Sequence, residues 1–184
     1  MNMLIKISGI FAALSLLIST CSAQSTQAEP ERHTRPNAPY ELLLGKSLTD
    51  QEVTEFIASN NCSSAGQFQL CKNVGMALFV NLEQIVETIY LYLNNAEGFT
   101  PYQGELPFGL KFYDTLGAVE YKLQRLAGEN AEIPEEGASP DHMHYWVDYK
   151  QYGMTVIYNC SFADEDATIY AILVSKSSNT MNAE

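Results

Sequence analysis

Apolar residues recur at two spacings in the first half of the chain, first at helical spacing and then in short alternating runs. Val53, Phe56 and Ile57 follow one another as on one face of a helix. Thr49 precedes them and Glu52 stands three residues after it, which is the capping-box pattern of a helix start. Three strands are predicted next, at about residues 67–71, 76–81 and 86–93.

The second half of the chain shows the same order of predicted elements. Thr115, Val119 and Leu123 repeat the spacing found in the first helix, which predicts a second helix at about 115–127. A segment at 128–141 is rich in Glu, Pro and Gly and is predicted to be an inserted loop. Three more strands are predicted, at about residues 143–149, 153–160 and 167–174.

One ten-residue stretch occurs twice, at 72–81 (KNVGMALFVN) and 150–159 (KQYGMTVIYN), with Lys, Gly, Met and Asn at identical positions. Gly75 and Gly153 are predicted to adopt positive φ in the tight turn that opens each following strand. A Thr-Ile-Tyr triplet also recurs, at residues 88–90 and 168–170. The repeated turn therefore sets the correspondence between the two halves.

We predict an α+β protein of two tandem repeats, each a helix packed on an antiparallel sheet. The predicted bounds of the repeats are 41–94 and 111–175, with a connector at 95–110. Because a unit of this length buries little core by itself, we expect the two repeats to pack as one rigid body.

The predicted connector carries three large apolar side chains, Phe99, Tyr102 and Phe108, among glycines and prolines. Two interpretations are open. The rings either fill the seam between the repeats, or they form a loop tip that contacts a partner.

The N-terminal residues are typical of an export signal. Lys6 precedes an apolar run that is too short to span a membrane, so residues 1–20 are predicted to be a cleaved signal peptide. The residues before Cys21 resemble a bacterial lipobox, which predicts lipidation (palmitate) of Cys21 and an outer-membrane anchor facing the periplasm. Cleavage after Ala23 is the alternative and would give a soluble periplasmic or secreted protein. Residues 21–40 are predicted to be a disordered tether and 176–184 a flexible tail.

Composition excludes one broad class of partner. The 184 residues are 46% hydrophobic and 17% charged, which is ordinary for a globular protein. The formal net charge of −12 opposes binding to nucleic acid, which requires Lys and Arg on one face. The acidity has two interpretations, solubility or electrostatic steering toward a basic partner.

Four cysteines in an exported chain suggest disulfide formation. Whether Cys21 is lipidated or removed, three cysteines remain. Cys62 and Cys71 are the best pair, because they would close a short loop between a helix end and a strand. Cys160 is then left as a buried thiol, although its pairing with Cys62 or Cys71 is an open alternative.

Strand alternation separates the side chains of the predicted sheets into two sets. Ile89, Leu91 and Leu93 are predicted to face the helix in the first repeat, as are Ile169, Ala171 and Leu173 in the second. The outward set forms an aromatic and polar surface, which suits an interface with another protein. Simple coverage of an open sheet is the other interpretation. With the connector tyrosine included, the predicted partner-binding residues are Tyr90, Tyr92, Tyr102, His144, Trp146 and Tyr170.

Motifs for catalysis are weak in this sequence. His142 and His144 would place two imidazoles on one strand face, but nothing fixes a third metal ligand. The chain contains no Gly-rich phosphate loop after a strand and no G-x-S-x-G elbow. We therefore predict that the protein is not an enzyme and has no cofactor.

The repeat layout, the short loop between Cys62 and Cys71, and the aromatic residues on one sheet face resemble the β-lactamase inhibitor protein family. A single unit is similar to the small outer-membrane lipoproteins of the barrel-assembly machinery. The resemblance implies a concave sheet surface that grips an enzyme. We therefore predict a non-catalytic binding protein of the cell envelope, an inhibitor or immunity protein against a toxin or hydrolase. The alternative is a structural lipoprotein that assists envelope assembly.

Overall fold

The computed structural model describes residues 40–93 and 95–176. The predicted signal peptide, the lipidation of Cys21, nearly all of the predicted tether and nearly all of the predicted tail lie outside the described residues. Tyr40, the last residue of the predicted tether, begins a short 3-10 helix and is only 5% exposed. Its ring packs edge-on against Tyr102, so the folded part of the chain includes Tyr40.

The fold is α+β, as predicted, and the described residues form two α-helices and one eight-stranded antiparallel sheet. The first half contains α1 (Gln51–Ser59), β1 (Ser63–Ala65), β2 (Phe68–Cys71), β3 (Met76–Val80) and β4 (Val86–Tyr92). The second half contains α2 (Leu116–Ala127), β5 (Glu135–Ala138), β6 (Tyr145–Tyr149), β7 (Met154–Tyr158) and β8 (Ile169–Ser175). The strand order is β1-β2-β3-β4-β8-β7-β6-β5, so β4 and β8 join the two halves at the centre.

The outermost strands, β1 and β5, were not predicted. The segment 128–141 was predicted to be a loop, but residues Glu135–Ala138 pair with β6. β1 is three exposed residues, Ser63, Ser64 and Ala65, paired with β2. Both strands lack the apolar alternation that marks a strand, because an edge strand without a covering layer needs no apolar face.

The two repeated turns adopt the predicted conformation. Each begins as a short 3-10 helix, Lys72–Val74 or Lys150–Tyr152, and ends at a glycine in the left-handed region. The φ angle is 67° at Gly75 and 59° at Gly153, which confirms that positive φ is required there.

The first helix begins one residue later than predicted. Asp50, not Thr49, is the N-cap residue, and no side chain caps the helix. The Asp50 carboxylate instead accepts a hydrogen bond from the Ser47 N–H at 3.0 Å. The capping-box prediction is therefore wrong, because Asp50 folds back on the preceding turn. The second helix, predicted at about 115–127, runs over Leu116–Ala127, and Thr115 is its N-cap residue.

A register irregularity in β8 overturns part of the predicted inner set. Pairing with β7 shifts between Ile157 and Tyr158, so that β8 has an extra residue near Tyr170. Beyond this bulge, Ile172 and Val174 face the helices, while Ala171 and Leu173 face the other way. The assignment of Ala171 and Leu173 to the inner set was wrong for this reason.

The same bulge separates the two Thr-Ile-Tyr triplets. Tyr90 lies inside β4, directly opposite Leu173. Tyr170 lies at the bulge of β8, and Thr168 precedes that strand, where it bridges to Thr115. The triplets therefore occupy different places in the two halves, although the repeated turns match.

Both helices pack on one side of the sheet, which we call the helix face. Val53 and Phe56 of α1 and Val119 and Leu123 of α2 belong to one continuous buried cluster. The connector crosses the same side, where the side chains of Tyr102, Leu106 and Leu110 are buried. Tyr102 is therefore part of the core and does not form a loop tip.

A disulfide joins Cys62 to Cys71, as predicted, with the two Cα atoms 4.2 Å apart. The bridge ties the end of α1 to β2 and brackets the edge strand β1. A loop of nine residues closed in this way contributes about 2–3 kcal/mol through the entropy of the unfolded chain. Cys160 is buried, and its thiol donates a hydrogen bond to the carbonyl oxygen of Phe162 at 2.9 Å. The alternative pairing with Cys160 is therefore excluded.

Candidate protein-binding face

The side of the sheet opposite the helices is covered by no helix among the described residues, and we call it the open face. Strand register defines it, since directly paired residues point to the same side. One row across the centre joins Ala77, Tyr90, Leu173, Thr155 and Asp148. The large apolar side chains of the open face are all partly exposed. They are Phe68, Leu70, Phe79, Tyr90, Tyr92, Trp146, Ile157, Tyr170 and Leu173.

A line of aromatic rings begins at the β2 side of the open face. The ring of Phe68 lies 5.3 Å from that of Phe79 and 5.7 Å from that of Tyr90, measured between centroids. Tyr90 in turn stacks with Tyr92 at 6.5 Å. These separations lie in the range of favourable ring pairs, so the rings support one another as a fixed surface.

The line of rings continues across the central pair of strands. Tyr92 stacks closely on Phe99, with 4.1 Å between centroids, and meets Tyr170 edge-on at 6.4 Å. Tyr170 lies 4.1 Å from the ring of His144. The His144 Nδ1 atom is buried and has no hydrogen-bond partner among the described residues. Rings from both halves of the chain therefore meet at this end of the face.

Trp146 extends the open face toward the β5 edge. Its indole lies over Gly137, and its Nε1 donates a long hydrogen bond of 3.4 Å to the carbonyl oxygen of Ala138. A row of paired residues, Ile157 and Ala171, connects Trp146 to Tyr92. Trp146 is thus part of the same surface, although it makes no direct ring contact with the tyrosines.

Gly137→Ala is expected to displace the indole of Trp146 and change its fluorescence. A Cβ at Gly137 would lie 2.8 Å from the indole, closer than side chains pack. Gly137 has no positive φ, so the backbone tolerates alanine. Because Trp146 is the only tryptophan, the emission maximum reports this site alone. The substitution Gly66→Ala, at a position with open space, serves as the control and should leave the emission unchanged. Identical spectra for Gly137→Ala and the wild type would contradict the observed packing.

Burial raises the pKa of phenol groups on the open face, and such groups are already protonated at physiological pH when their pKa is unshifted. It raises the pKa of Tyr90, and it is the main cause of the raised pKa of Tyr92 and of Tyr170. The negative charge of Glu97 raises the pKa of both Tyr92 and Tyr170 further, and Asp141 adds to the effect on Tyr170. The hydroxyls are therefore neutral groups that donate and accept hydrogen bonds at physiological pH.

Five of the six residues predicted to bind a partner lie on or beside the open face. Tyr90, Tyr92, Tyr170 and His144 are linked through ring contacts, and Trp146 lies farther along the same side.

Tyr102 is the exception among the six. It is 2% exposed, because the connector turns onto the helix face after Phe99. Burial removes Tyr102 from the surface that a partner can reach.

Only four of the nine large apolar side chains of the open face were among the residues predicted from the sequence. Phe68, Leu70 and Phe79 lie on the open face, but they were counted only as strand residues. Alternation within β2 and β3 would have found them. Leu173 was missed because the bulge in β8 carries no marker in the sequence.

Other kinds of site find little support in the described part of the chain. No group of three or more His, Cys, Asp or Glu side chains there is arranged to hold a metal ion. None of the helices within residues 40–93 and 95–176 is long and apolar enough to cross a membrane. No protein-family model matches the chain, and no curated protein or solved structure is significantly similar to it. The resemblance to the β-lactamase inhibitor family remains a prediction.

Proposed function

We propose that this chain is an exported, non-catalytic protein of the cell envelope that binds another protein through its open face. The observation that supports the proposal is the continuous line of partly exposed rings on the sheet side that no described helix covers. Monomeric proteins seldom leave such apolar surfaces uncovered unless they serve in recognition. Tyrosine and tryptophan are also the residues that contribute most at protein interfaces.

The open face has the form of an interface rather than of a small-molecule site. Its rings lie side by side along neighbouring strands, and they are held by one another and by the sheet. Rigid rings lose little conformational entropy when a partner binds, which favours affinity. Because the phenols stay neutral, they suit hydrogen bonding to a partner better than proton transfer.

We propose further that the chain consists of two tandem repeats of one helix and four strands. Three observations support duplication. The repeated turns stand at the same place in each half, between β2 and β3 and between β6 and β7. The bulges follow at matching places, after Phe79 and after Ile157. The two halves meet through β4 and β8, which pair with each other on both sides of a midpoint where Tyr90 lies opposite Leu173.

The proposed role is that of an inhibitor or immunity protein against a toxin or hydrolase, held at the outer membrane through lipidated Cys21. The lipid anchor and the signal peptide rest on the sequence of residues 1–21. A structural lipoprotein of envelope assembly would use the same anchor, and the identity of the bound protein separates these two roles.

Site-specific photo-crosslinking tests the proposal in cells that produce the chain. A photoreactive amino acid at Leu173, at the centre of the open face, should give an adduct with one envelope or exported protein. The matched position is Leu126, which is 58% exposed on α2 at the other side of the molecule. Adducts of equal yield at both positions, or none at Leu173, would sink the proposal. A toxin or hydrolase in the adduct supports inhibition, whereas assembly-machinery components support the structural role.

A further inference from the structure

The short strand β1 is the outer edge of the sheet, next to the end where the line of rings begins. All three of its residues are exposed. Among the described strands it pairs with β2 alone, through Ser63 with Leu70, Ser64 with Gln69 and Ala65 with Phe68. The disulfide between Cys62 and Cys71 joins the residue before β1 to the last residue of β2. The edge is therefore both accessible and held in place.

The main-chain N–H and C=O of Ser64 point away from β2. Ala65 and Phe68 close a two-residue turn, and such a closing pair exchanges both of its main-chain hydrogen bonds. Because only every second residue of an antiparallel strand bonds to the same neighbour, Ser64 faces the outer side of the edge. A donor and an acceptor that face outward on one residue are what an added strand requires.

The sequence around β1 has neither the charges nor the prolines that usually protect an exposed edge. Residues 56–71 (FIASNNCSSAGQFQLC) contain no charged residue and no proline, although the chain has 22 Asp and Glu. The three-residue length of β1 limits the number of main-chain bonds that this edge can offer. Most of the affinity for an added strand must therefore come from side chains beside β1.

Small side chains in β1 leave the flank of the open face uncovered. Ser63 and Ala65 point to the open face, because they lie opposite Leu70 and Phe68, which belong to it. Leu70 and Phe68 are both partly exposed. In an antiparallel segment paired with Ser64, the two residues next to the paired one would point to the same side. Large apolar side chains there would extend over Ser63 and Ala65 and contact Leu70 and Phe68.

The opposite edge of the sheet, β5, is protected against such an addition. Pro134 directly precedes β5, and Glu135 forms a salt bridge of 2.6 Å with Lys150. The indole Nε1 of Trp146 donates to the Ala138 carbonyl oxygen at 3.4 Å, so a ring lies along this edge. Proline, charge and a covering group all keep other strands away from a sheet edge. The two edges of one sheet are thus treated differently, and only β1 is left open.

We propose that an extended segment of the bound protein pairs with β1 as an additional strand of the sheet. This inference rests on the proposed function and specifies how the partner enters the open face. One residue of the segment exchanges both main-chain hydrogen bonds with Ser64, and its two neighbours place apolar side chains against Phe68 and Leu70. A second copy of this chain is a poor occupant, because two molecules with a net charge of −12 each repel one another.

Variants of β1 in the photo-crosslinking experiment at Leu173 test the inference. Ser64→Pro removes the outward N–H, and an edge strand accepts proline at such a position. We expect the yield of the Leu173 adduct to fall by about fivefold or more, since one main-chain hydrogen bond is lost and the proline ring obstructs the added strand. Ser64→Ala keeps the N–H and removes only the hydroxyl, which accepts a hydrogen bond from the Gln69 side chain at 3.3 Å. It should leave the yield unchanged.

Glu136→Pro is the matched control for a proline in an edge strand. The Ser139 N–H donates to the His144 carbonyl oxygen at 2.8 Å, so Ser139 faces β6 and Glu136, three residues earlier, faces outward. This variant should also leave the yield of the Leu173 adduct unchanged. Urea denaturation of all three variants shows whether each one folds.

A photoreactive amino acid at Ala65 gives a second measurement, which decides the test if Ser64→Pro does not fold. At this position in β1 it should capture the same protein as at Leu173. No adduct at Ala65, or an adduct with a second copy of this chain, would overturn the pairing. An unchanged yield in a folded Ser64→Pro protein, or an equal loss with Glu136→Pro, would also overturn it and leave the proposed function standing. Absence of any Leu173 adduct in the otherwise unaltered chain would count against both.

Discussion

Gly75→Ala is expected to lower the free energy of unfolding by about 3–4 kcal/mol, a large share of the stability of a domain of this size. The φ angle of 67° alone costs an alanine roughly 1–2 kcal/mol. In addition, a Cβ at this position would lie 2.4 Å from both the carbonyl oxygen of Thr100 and the amide nitrogen of Tyr102. These are main-chain atoms, so no side-chain rotation relieves the clash.

Main-chain hydrogen bonds hold the connector close to Gly75 and to β4. The Thr100 N–H donates to the Lys72 carbonyl at 2.9 Å, and the Tyr102 N–H donates to the Tyr92 carbonyl at 2.7 Å. The Tyr92 N–H donates to the carbonyl of Gly75 itself at 2.9 Å. Moving the connector away would break these bonds and withdraw the buried ring of Tyr102 from the core.

Urea denaturation of Gly75→Ala and Gly66→Ala measures this effect. Gly66 also has positive φ, 61°, but a Cβ there meets nothing within 4 Å. The free energy of unfolding of the control Gly66→Ala should fall only by the cost of an alanine at positive φ, roughly 1–2 kcal/mol. Equal losses in the two variants would mean that the close approach of the connector to Gly75 contributes nothing.

Leu173→Arg is expected to weaken binding of the crosslinked partner by about a hundredfold, equivalent to about 2.7 kcal/mol. Leu173 lies between Tyr90 and Thr155 at the centre of the open face. An arginine there introduces a charge and a long side chain where a partner must pack on rings.

Folding should be nearly unaffected by Leu173→Arg, because Leu173 is only partly buried and the guanidinium can reach solvent. The affinity is measured by titration of the purified partner, and the stability by urea denaturation. Leu126→Arg introduces the same side chain on the exposed side of α2 and should leave binding unchanged. Retained binding by a folded Leu173→Arg protein would place the interface elsewhere.

The features of the fold that were predicted correctly from the sequence depend on short-range patterns along the chain. The helical spacing of Val119 and Leu123, the glycines of the repeated turns and the nine-residue spacing of Cys62 and Cys71 each depend on a few neighbouring residues. Hydrophobic periodicity and the closure of a short disulfide loop can both be recognised within such short segments. The α+β class followed from them.

Features that depend on distant pairing were not predictable. The edge strands β1 and β5 have no pattern of their own and exist because β2 and β6 offer them partners. The bulge that turns Leu173 to the open face is visible only in the register between β7 and β8. Tyr102 was assigned to the surface because nothing in a Gly- and Pro-rich connector shows which side of the sheet it crosses.

The position of β8 determines when the sheet can be completed. Among the described strands it is the last in chain order, yet it fills the centre of the sheet and pairs with β4 across as many as 87 residues, from Thr88 to Ser175. Until it arrives, β4 and β7 are unpaired edges of a kind that invites aggregation. Such late, distant pairing makes folding slow. A nascent chain therefore keeps two open edges in the middle of its sheet until β8 has been made.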